Sequence, residues 1–527
     1  MCDEAFTRRQ CDDDLLNAID RNDIAEVRRL LDSDVSPNGR RNSDSDLSPL
    51  TKAVSLGRLE IMSILFQHKV KPGVDELGYT DIHLAVSNRD AVVLQMLLDY
   101  WKDEGYRLFN PAFGEYPIHT AAEAGNLECL KLLQAAGLDI SYTDRFLGMA
   151  TLHYACQCKH ARGADIVRYL LQSGAANVNA VTKLEQESPL WFAASAGNGD
   201  ITSVLLQAWP PPDLGLRNRL GQTVLHAAAS YCPLPVLQML VSAGADIHAR
   251  SKTNASILHC AAEAGRLDSL VWILENSSLG IDERGSHGWT PLHYAAAANQ
   301  VQVARFLLDR GANANARSAP GNHTPLHLAA AYIDGEVNAV FDDGNDDASL
   351  VECLLLHGAD VTALGDRRAL VSDSARGEEL HDWKYTDTEE GEEASPPLED
   401  VHPLDCAAFA GNINIAEKLL VAGADIHCRT SIKGSTPLHI AATQFLLEMI
   451  RFLLRSGADY TLEDYGGRKM VHHLAFMARR KPERAKAFLV EEGIYHPGMD
   501  GDLDWRRSVK MMQEYYEMKN LGQIMVL

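Results

Sequence analysis

Three seven-residue stretches decide how this chain folds: TPLHYAA from Thr290, TPLHLAA from Thr324 and TPLHIAA from Thr436. Working outward from them, weaker copies read TDIHLAV at Thr80, YPIHTAA at Tyr116, ATLHYAC at Ala150, SPLWFAA at Ser188, TVLHAAA at Thr223 and SILHCAA at Ser256. Further copies are SPLTKAV at Ser48, HPLDCAA at His402 and a worn KMVHHLA at Lys469. The fourth position falls at Thr51, His83, His119, His153, Trp191, His226, His259, His293, His327, Asp405, His439 and His472. The steps run from 32 to 38 residues, except for one of 78. A period this regular is an internal repeat, and a 44-residue excess inside one repeat accounts for the long step.

The chemistry of the seven residues explains their order. Thr or Ser at the first position is a helix N-cap, and Pro at the second suits the first helical turn, where no N–H is needed. Leu is an expected core residue. Ala holds the sixth position in eleven of twelve copies, from Ala53 to Ala441, with Leu474 in the last. One methyl there lets two helices approach closely, and larger residues would overpack by about 1–3 kcal/mol. Each unit then closes alike, as in LLQAAGLDI, MLVSAGADI, LLVAGADI and LLRSGADY. Gly just past a Leu-rich run is a helix stop, because it takes the left-handed conformation cheaply.

These features resemble the ankyrin repeat, a unit of about 33 residues with T-P-L-H near its start and G-A-D near its end. The resemblance covers residues 12–498 in about thirteen units, the first a copy without T-P-L-H at LLNAIDRNDIAEVRRLLDSDVSPN. It implies an all-α solenoid of stacked helix pairs with projecting β-hairpin loops, whose concave face of inner helices and fingers binds other proteins. It also implies that the motif histidine bonds the Thr hydroxyl and neighbouring backbone. The expected organisation is an N-terminal arm (1–11), repeats over 12–364 with an in-repeat loop at 333–348, an acidic disordered insertion at 365–400, repeats over 401–498, and a helical cap or tail at 499–527.

Composition agrees with a folded chain: 46% hydrophobic and 23% charged residues exclude wholesale disorder. A formal charge of −23 argues against general binding to a nucleic-acid backbone. Ten irregularly spaced cysteines give no disulfide framework. The start MCDEAFTRRQCDDD has no apolar core of a signal peptide, and no apolar run is long enough to span a membrane. The expectation is a cytoplasmic or nuclear protein in a reducing compartment.

Signatures of catalysis are missing. There is no G-x-x-x-x-G-K-[ST], H-E-x-x-H or G-x-S-x-G. The nine motif histidines recur with the same neighbours and read as scaffold. His153, Cys156, Cys158 and His160 form H-x2-C-x-C-x-H, but His153 is a scaffold histidine and the spacing matches no common zinc pattern. The run Asp342–Asp347 lacks the alternating ligands of a calcium loop. No cofactor, metal or catalytic residue is expected.

Charge is distributed unevenly. Residues 365–400 hold twelve acidic and four basic side chains, and residues 334–347 hold six acidic and none basic. EEGEEASPPLED within the first has the composition of a disordered segment. In the opposite sense, Arg217, Arg250, Arg284, Arg317 and Arg429 lie nine or ten residues, in Arg429's case ten, before a motif histidine, where stacking would align them along the fingers. Their followers are Asn218, Ser251, Gly285, Ser318 and Thr430, so the acid usual in such units is absent. Two readings stand. The arginines are a family habit without a ligand, or they receive an acidic segment, from a partner or from residues 365–400, with Ser395-Pro396 as a phosphorylation site that tunes it. Trp289 and Tyr79, four residues before His293 and His83, are expected interface anchors at hairpin tips, or else pack on adjacent fingers. Trp505, Val509, Met512 and Tyr516 form a helical stripe that caps the last unit or docks a partner.

The sequence therefore reads as a non-enzymatic adaptor or scaffold with one or more protein partners. The alternatives are a regulatory subunit, such as a transcriptional coregulator or ubiquitin-ligase substrate adaptor, and an enzyme with an unrecognised site.

Overall fold

The computed structural model describes residues 13–33, 35–38, 48–73, 80–104, 116–158, 162–285, 287–319, 321–332, 348–366, 400–477 and 482–495. The proposed arm, Tyr79, the acidic in-repeat loop, the insertion between 367 and 399 and the C-terminal stripe lie outside these residues. The chain divides into two compact units, Met1–Ile247 and His248–Leu527.

Both units are stacks of helix pairs. In the first, the inner helices Pro49–Ser55, Asp81–Ser87, Pro117–Glu123, Thr151–Gln157, Pro189–Ser195 and Val224–Tyr231 each pack on the next. In the second, the series is Ile257–Glu263, Pro291–Ala297, Pro325–Ala330, Pro403–Ala410, Pro437–Thr443 and Met470–Met477. Ala at the sixth motif position is the closest-packed place in every pair: the eleven alanines are at most 2% exposed. The stack does not stop at the long step. Pro325–Ala330 packs on Pro403–Ala410, Ser349–Leu356 packs on Ile413–Val421, and His327 Nε2 lies 3.2 Å from the carbonyl of Val401. The glycines that stop the second helices take the left-handed conformation, as at Gly244 (φ +99°) and Gly457 (φ +98°).

The motif histidine has one arrangement in the three T-P-L-H copies. The backbone N–H of Thr290 donates to His293 Nδ1 at 3.1 Å, and the Thr290 hydroxyl lies 2.9 Å from the same nitrogen. Nδ1 is thus an acceptor, which leaves the proton on Nε2, and Nε2 lies 3.0 Å from the carbonyl of His323 in the next unit. The histidine caps its own helix and ties its unit to the following finger. His259 and His439 repeat both contacts. Where the position is not histidine, the cap serine accepts directly: Ser48 Oγ from Thr51 N at 3.1 Å and Ser188 Oγ from Trp191 N at 3.2 Å.

The fingers are hairpins of the shortest kind. Among the described residues, the only ladder longer than a single bridge pairs Gly365 with Val401 and Asp366 with Asp400. The other fingers are tight turns, each closed by a main-chain bond such as Asn218 N to Gln222 O (3.0 Å) or Ser318 N to His323 O (2.9 Å). Four or five residues are too few for a ladder, so a side chain at the finger's start completes the turn. Asn218 Oδ1 accepts from Gln222 N, Ser251 Oγ from Ala255 N, Ser318 Oγ from His323 N and Thr430 Oγ1 from Ser435 N, at 2.8–3.1 Å. These are the residues that follow the hairpin arginines. Their side-chain acceptors close the fingertip, a task that the carboxylates of Asp144 and Asp464 perform in other fingers, while Gly285 after Arg284 brings no acceptor.

Candidate protein-binding surface

Each hairpin arginine is placed by backbone carbonyls. Arg217 Nη1 donates to Gly221 O at 2.7 Å within its own finger. In the second unit, Arg250 Nη1 donates to Asn254 O at 3.3 Å and its Nη2 pairs with Glu283. Arg284 Nη1 reaches Arg317 O (3.1 Å) and Arg317 Nη1 reaches Leu364 O (3.0 Å), so these two bond the following finger. Arg429 Nη1 does both, donating to Gly434 O at 2.9 Å and Glu463 O at 2.8 Å. The arginines therefore stitch fingers together, and the absent acid is replaced by carbonyl oxygens.

Trp289 is half-buried rather than exposed. Its ring stacks on His293 with centroids 6.0 Å apart and meets Tyr294 edge-on at 5.3 Å, while its carbonyl lies 3.2 Å from His259 Nε2. The indole packs on its neighbours because the residues around it are themselves large and aromatic.

The H-x2-C-x-C-x-H cluster does not assemble as ligands. His153 Nε2 lies 3.2 Å from the carbonyls of both Ala180 and Glu187, Cys156 and Cys158 are fully buried, and His160 lies outside the described residues. Burial also pushes the Cys156 thiol well up, which keeps it protonated. The pair His472 and His473 is structural too: His472 Nδ1 accepts from Lys469 N (2.8 Å), and His473 Nε2 lies 3.1 Å from Asp464 Oδ2.

Exposed apolar side chains occur on both units, as at Val92, Leu356, Val421 and Tyr465, and several gather on neighbouring fingertips of the first unit. Phe146 is 58% exposed, Leu147 45% and Leu184 58%, with Tyr142 and Val181 beside them in sequence and also exposed. Leu147 and Leu184 stand on consecutive fingers joined by a bond from Lys183 N to Leu147 O (2.7 Å). Lys183 Nζ also donates to Arg145 O at 3.1 Å, and the next finger follows through Arg219 N to Glu185 O at 2.7 Å. Three tips thus form one bonded edge, with apolar side chains flanked by Arg145, Lys183 and Arg219. The same tip positions in the second unit hold residues such as Thr253, Asn254, Gly321, Asn322 and Gly434. The turn itself does not require bulk. Trp209, in a further loop of the first unit, is 92% exposed. Sequence reasoning missed these residues; comparing side chains at the tip register, finger by finger, would have found Phe146, Leu147 and Leu184.

The fold and this surface define a helical-repeat binding module, with its variable side chains on fingers and its invariant ones inside. The family model for ankyrin repeats in three copies matches residues 82–182, 161–251, 234–318, 258–364 and 404–496, and the chain belongs to the ankyrin-repeat family. Such repeats are interaction modules and typically non-catalytic. Among curated relatives, E3 ubiquitin-protein ligase KEG of Arabidopsis thaliana is 27% identical over 68% of this chain and 19% of its own length. Nuclear factor NF-kappa-B p105 subunit of Gallus gallus is 30% identical over 35% of this chain and 19% of its own. Transient receptor potential cation channel subfamily A member 1 of Homo sapiens is 25% identical over 86% of this chain and 37% of its own. The chain thus spans about a fifth of the first two relatives' length. No helix among the described residues is long and apolar enough to cross a membrane.

Proposed function

We propose that this protein is a non-enzymatic adaptor that holds protein partners on its finger and inner-helix face, with the fingertips of residues 142–147 and 181–187 as the principal anchor. The observation that carries this reading is the exposed Phe146, Leu147 and Leu184 on bonded neighbouring tips; in the second unit several tips carry small or polar residues, and one carries the exposed Tyr465. Exposed apolar groups on a rigid edge gain free energy only when another molecule covers them, and aromatic anchors dominate such contacts. The basic rim of Arg145, Lys183 and Arg219 favours a partner segment that is apolar and acidic.

A second contact involves the hairpin arginines, whose positive charges line successive fingers. Residues 365–400 are an acidic source within the chain, and the ladder at 365–366 and 400–401 roots that segment beside Arg317, which bonds Leu364 O. In this reading the segment competes with acidic partners for the arginines. The anchor is tested by a Phe146→Ser, Leu147→Ser, Leu184→Ser variant. It is expected to keep the wild-type melting temperature and to lose the proteins that the wild type captures. Undiminished capture by a folded variant would refute the assignment.

A further inference from the structure

The repeat beginning at His402 departs from its siblings at three places, and the three meet. His402 takes the cap position held by Thr or Ser in most copies, Asp405 takes the place of the scaffold histidine, and Cys428 stands where Ala249 and Ala316 precede the arginines of two other fingers. Asp405 keeps half of the histidine's task, since its Oδ2 accepts from His402 N at 2.9 Å. It cannot perform the other half, because a carboxylate has no proton to donate to the next finger. Its Oδ1 faces Cys428 Sγ at 3.8 Å instead, and its Oδ2 lies 3.2 Å from His402 Nδ1. Asp405 is fully buried, Cys428 nearly so, and the His402 side chain is 18% exposed.

We infer that His402, Asp405 and Cys428 form a zinc site. One ligand atom from each lies within 4.8 Å of the others. Bonds of about 2.0 Å to nitrogen and oxygen and about 2.3 Å to sulfur put tetrahedral ligands roughly 3.3–3.6 Å apart. His402 Nδ1 is 3.2 Å from Asp405 Oδ2 and Cys428 Sγ 3.8 Å from Asp405 Oδ1, so the two neighbours meet different oxygens of the carboxylate, and the three ligand atoms, within 4.8 Å of one another, draw together by about an ångström at most on a bound cation. The nitrogen, oxygen and sulfur donor set suits a borderline divalent cation such as Zn²⁺ rather than Ca²⁺ or Mg²⁺. Three protein ligands leave a fourth position, on the side where His402 reaches solvent. On binding, the Cys428 thiol gives its proton to water, and Nδ1 gives up the proton it donates to Asp405 Oδ2, so that its lone pair faces the metal and the neutral ring takes a proton from water on Nε2. The cation then replaces, as the tie between this unit and its finger, the bond that histidine supplies elsewhere. The linear spacing of 402, 405 and 428 matches no sequence pattern for zinc, so only the fold brings the ligands together.

The experiment uses the full chain, stripped with chelator and then given Zn²⁺ or Co²⁺ alone. The wild type is expected to bind one equivalent of Zn²⁺, to melt at a higher temperature with it, and to give a thiolate-to-cobalt charge-transfer band. Cys428→Ala should lose the band and at least tenfold in Zn²⁺ affinity. The triple variant His402→Thr, Asp405→His, Cys428→Ala restores the residues that sibling units carry. It should fold as well as the wild type and bind no stoichiometric Zn²⁺. Absence of binding by the wild type, or binding and a cobalt band that survive Cys428→Ala, would overturn the site. Cys428→Ala decides the matter alone if the triple variant fails to fold.

Discussion

Acidification should unfold the second unit through its motif histidines. Burial holds His259, His293 and His439 down to about 4 and His327 to about 3, from an ordinary value of 6.5. The geometry explains the direction. A proton on Nδ1 would have to point at the cap N–H that already donates there, and no water reaches the ring to solvate the charge. In the unfolded chain each ring protonates near 6.5, so below that pH the unfolded state binds more protons and stability falls as pH falls. The loss begins near pH 6.5 and is complete at the folded values of 3–4. For a group moved from 6.5 to 4, it amounts to about 2 kcal/mol at pH 5 and about 3.4 kcal/mol at completion. Four such groups represent roughly 8 kcal/mol at pH 5, comparable with the whole stability of an ordinary domain. Urea unfolding followed by circular dichroism at pH 7.5, 6.5, 5.5 and 5.0 measures the slope. His293→Asn supplies the control, because an amide oxygen can take the cap N–H as Asp405 does. That variant should be weaker at pH 7.5 but should lose about one proton from the slope between pH 6 and 5. A stability independent of pH from 7.5 to 5, or an unchanged slope in His293→Asn, would refute the reasoning.

Other substitutions test the packing and the turns. Ala295→Leu places three extra carbons in a fully buried contact between helices and should cost about 1–3 kcal/mol, read as a lower urea midpoint. Arg89 is exposed at φ +59°, in the interhelical turn where Gly57, Gly125 and Gly197 stand in neighbouring units. Arg89→Gly should therefore raise stability by about 1 kcal/mol, seen as a melting temperature a few degrees higher. Arg429→Ala removes one carbonyl bond within its own finger and one to the next, and should cost about 1–2 kcal/mol whether or not a partner is present.

The scaffold was legible because it repeats. Thr290, His293 and Ala295 carry capping, cross-linking and close packing in one heptapeptide, and the same physics imposes those residues on each unit. The binding surface was harder to read because it is what does not repeat. Phe146 and Leu184 look like ordinary apolar residues until the fold puts them on open tips. Trp289 looks like an exposed anchor until Tyr294 and His293 are seen to cover it. The arginines were found, yet their partners were not, since backbone carbonyls leave no trace in sequence. Asp405 read as a worn copy of the motif; only the return of the chain at Cys428 shows what the departure brings together.

The account's central claim is that the fingertips of the first unit hold a partner. Photo-crosslinking tests it most directly, with benzoylphenylalanine placed at position 146, at 184, or at the polar tip position 253 as reference. The account predicts discrete adducts with the same partner from 146 and 184, competed by unlabelled wild type, and none from 253. Equal labelling from all three positions, or adducts from 253 alone, would contradict it.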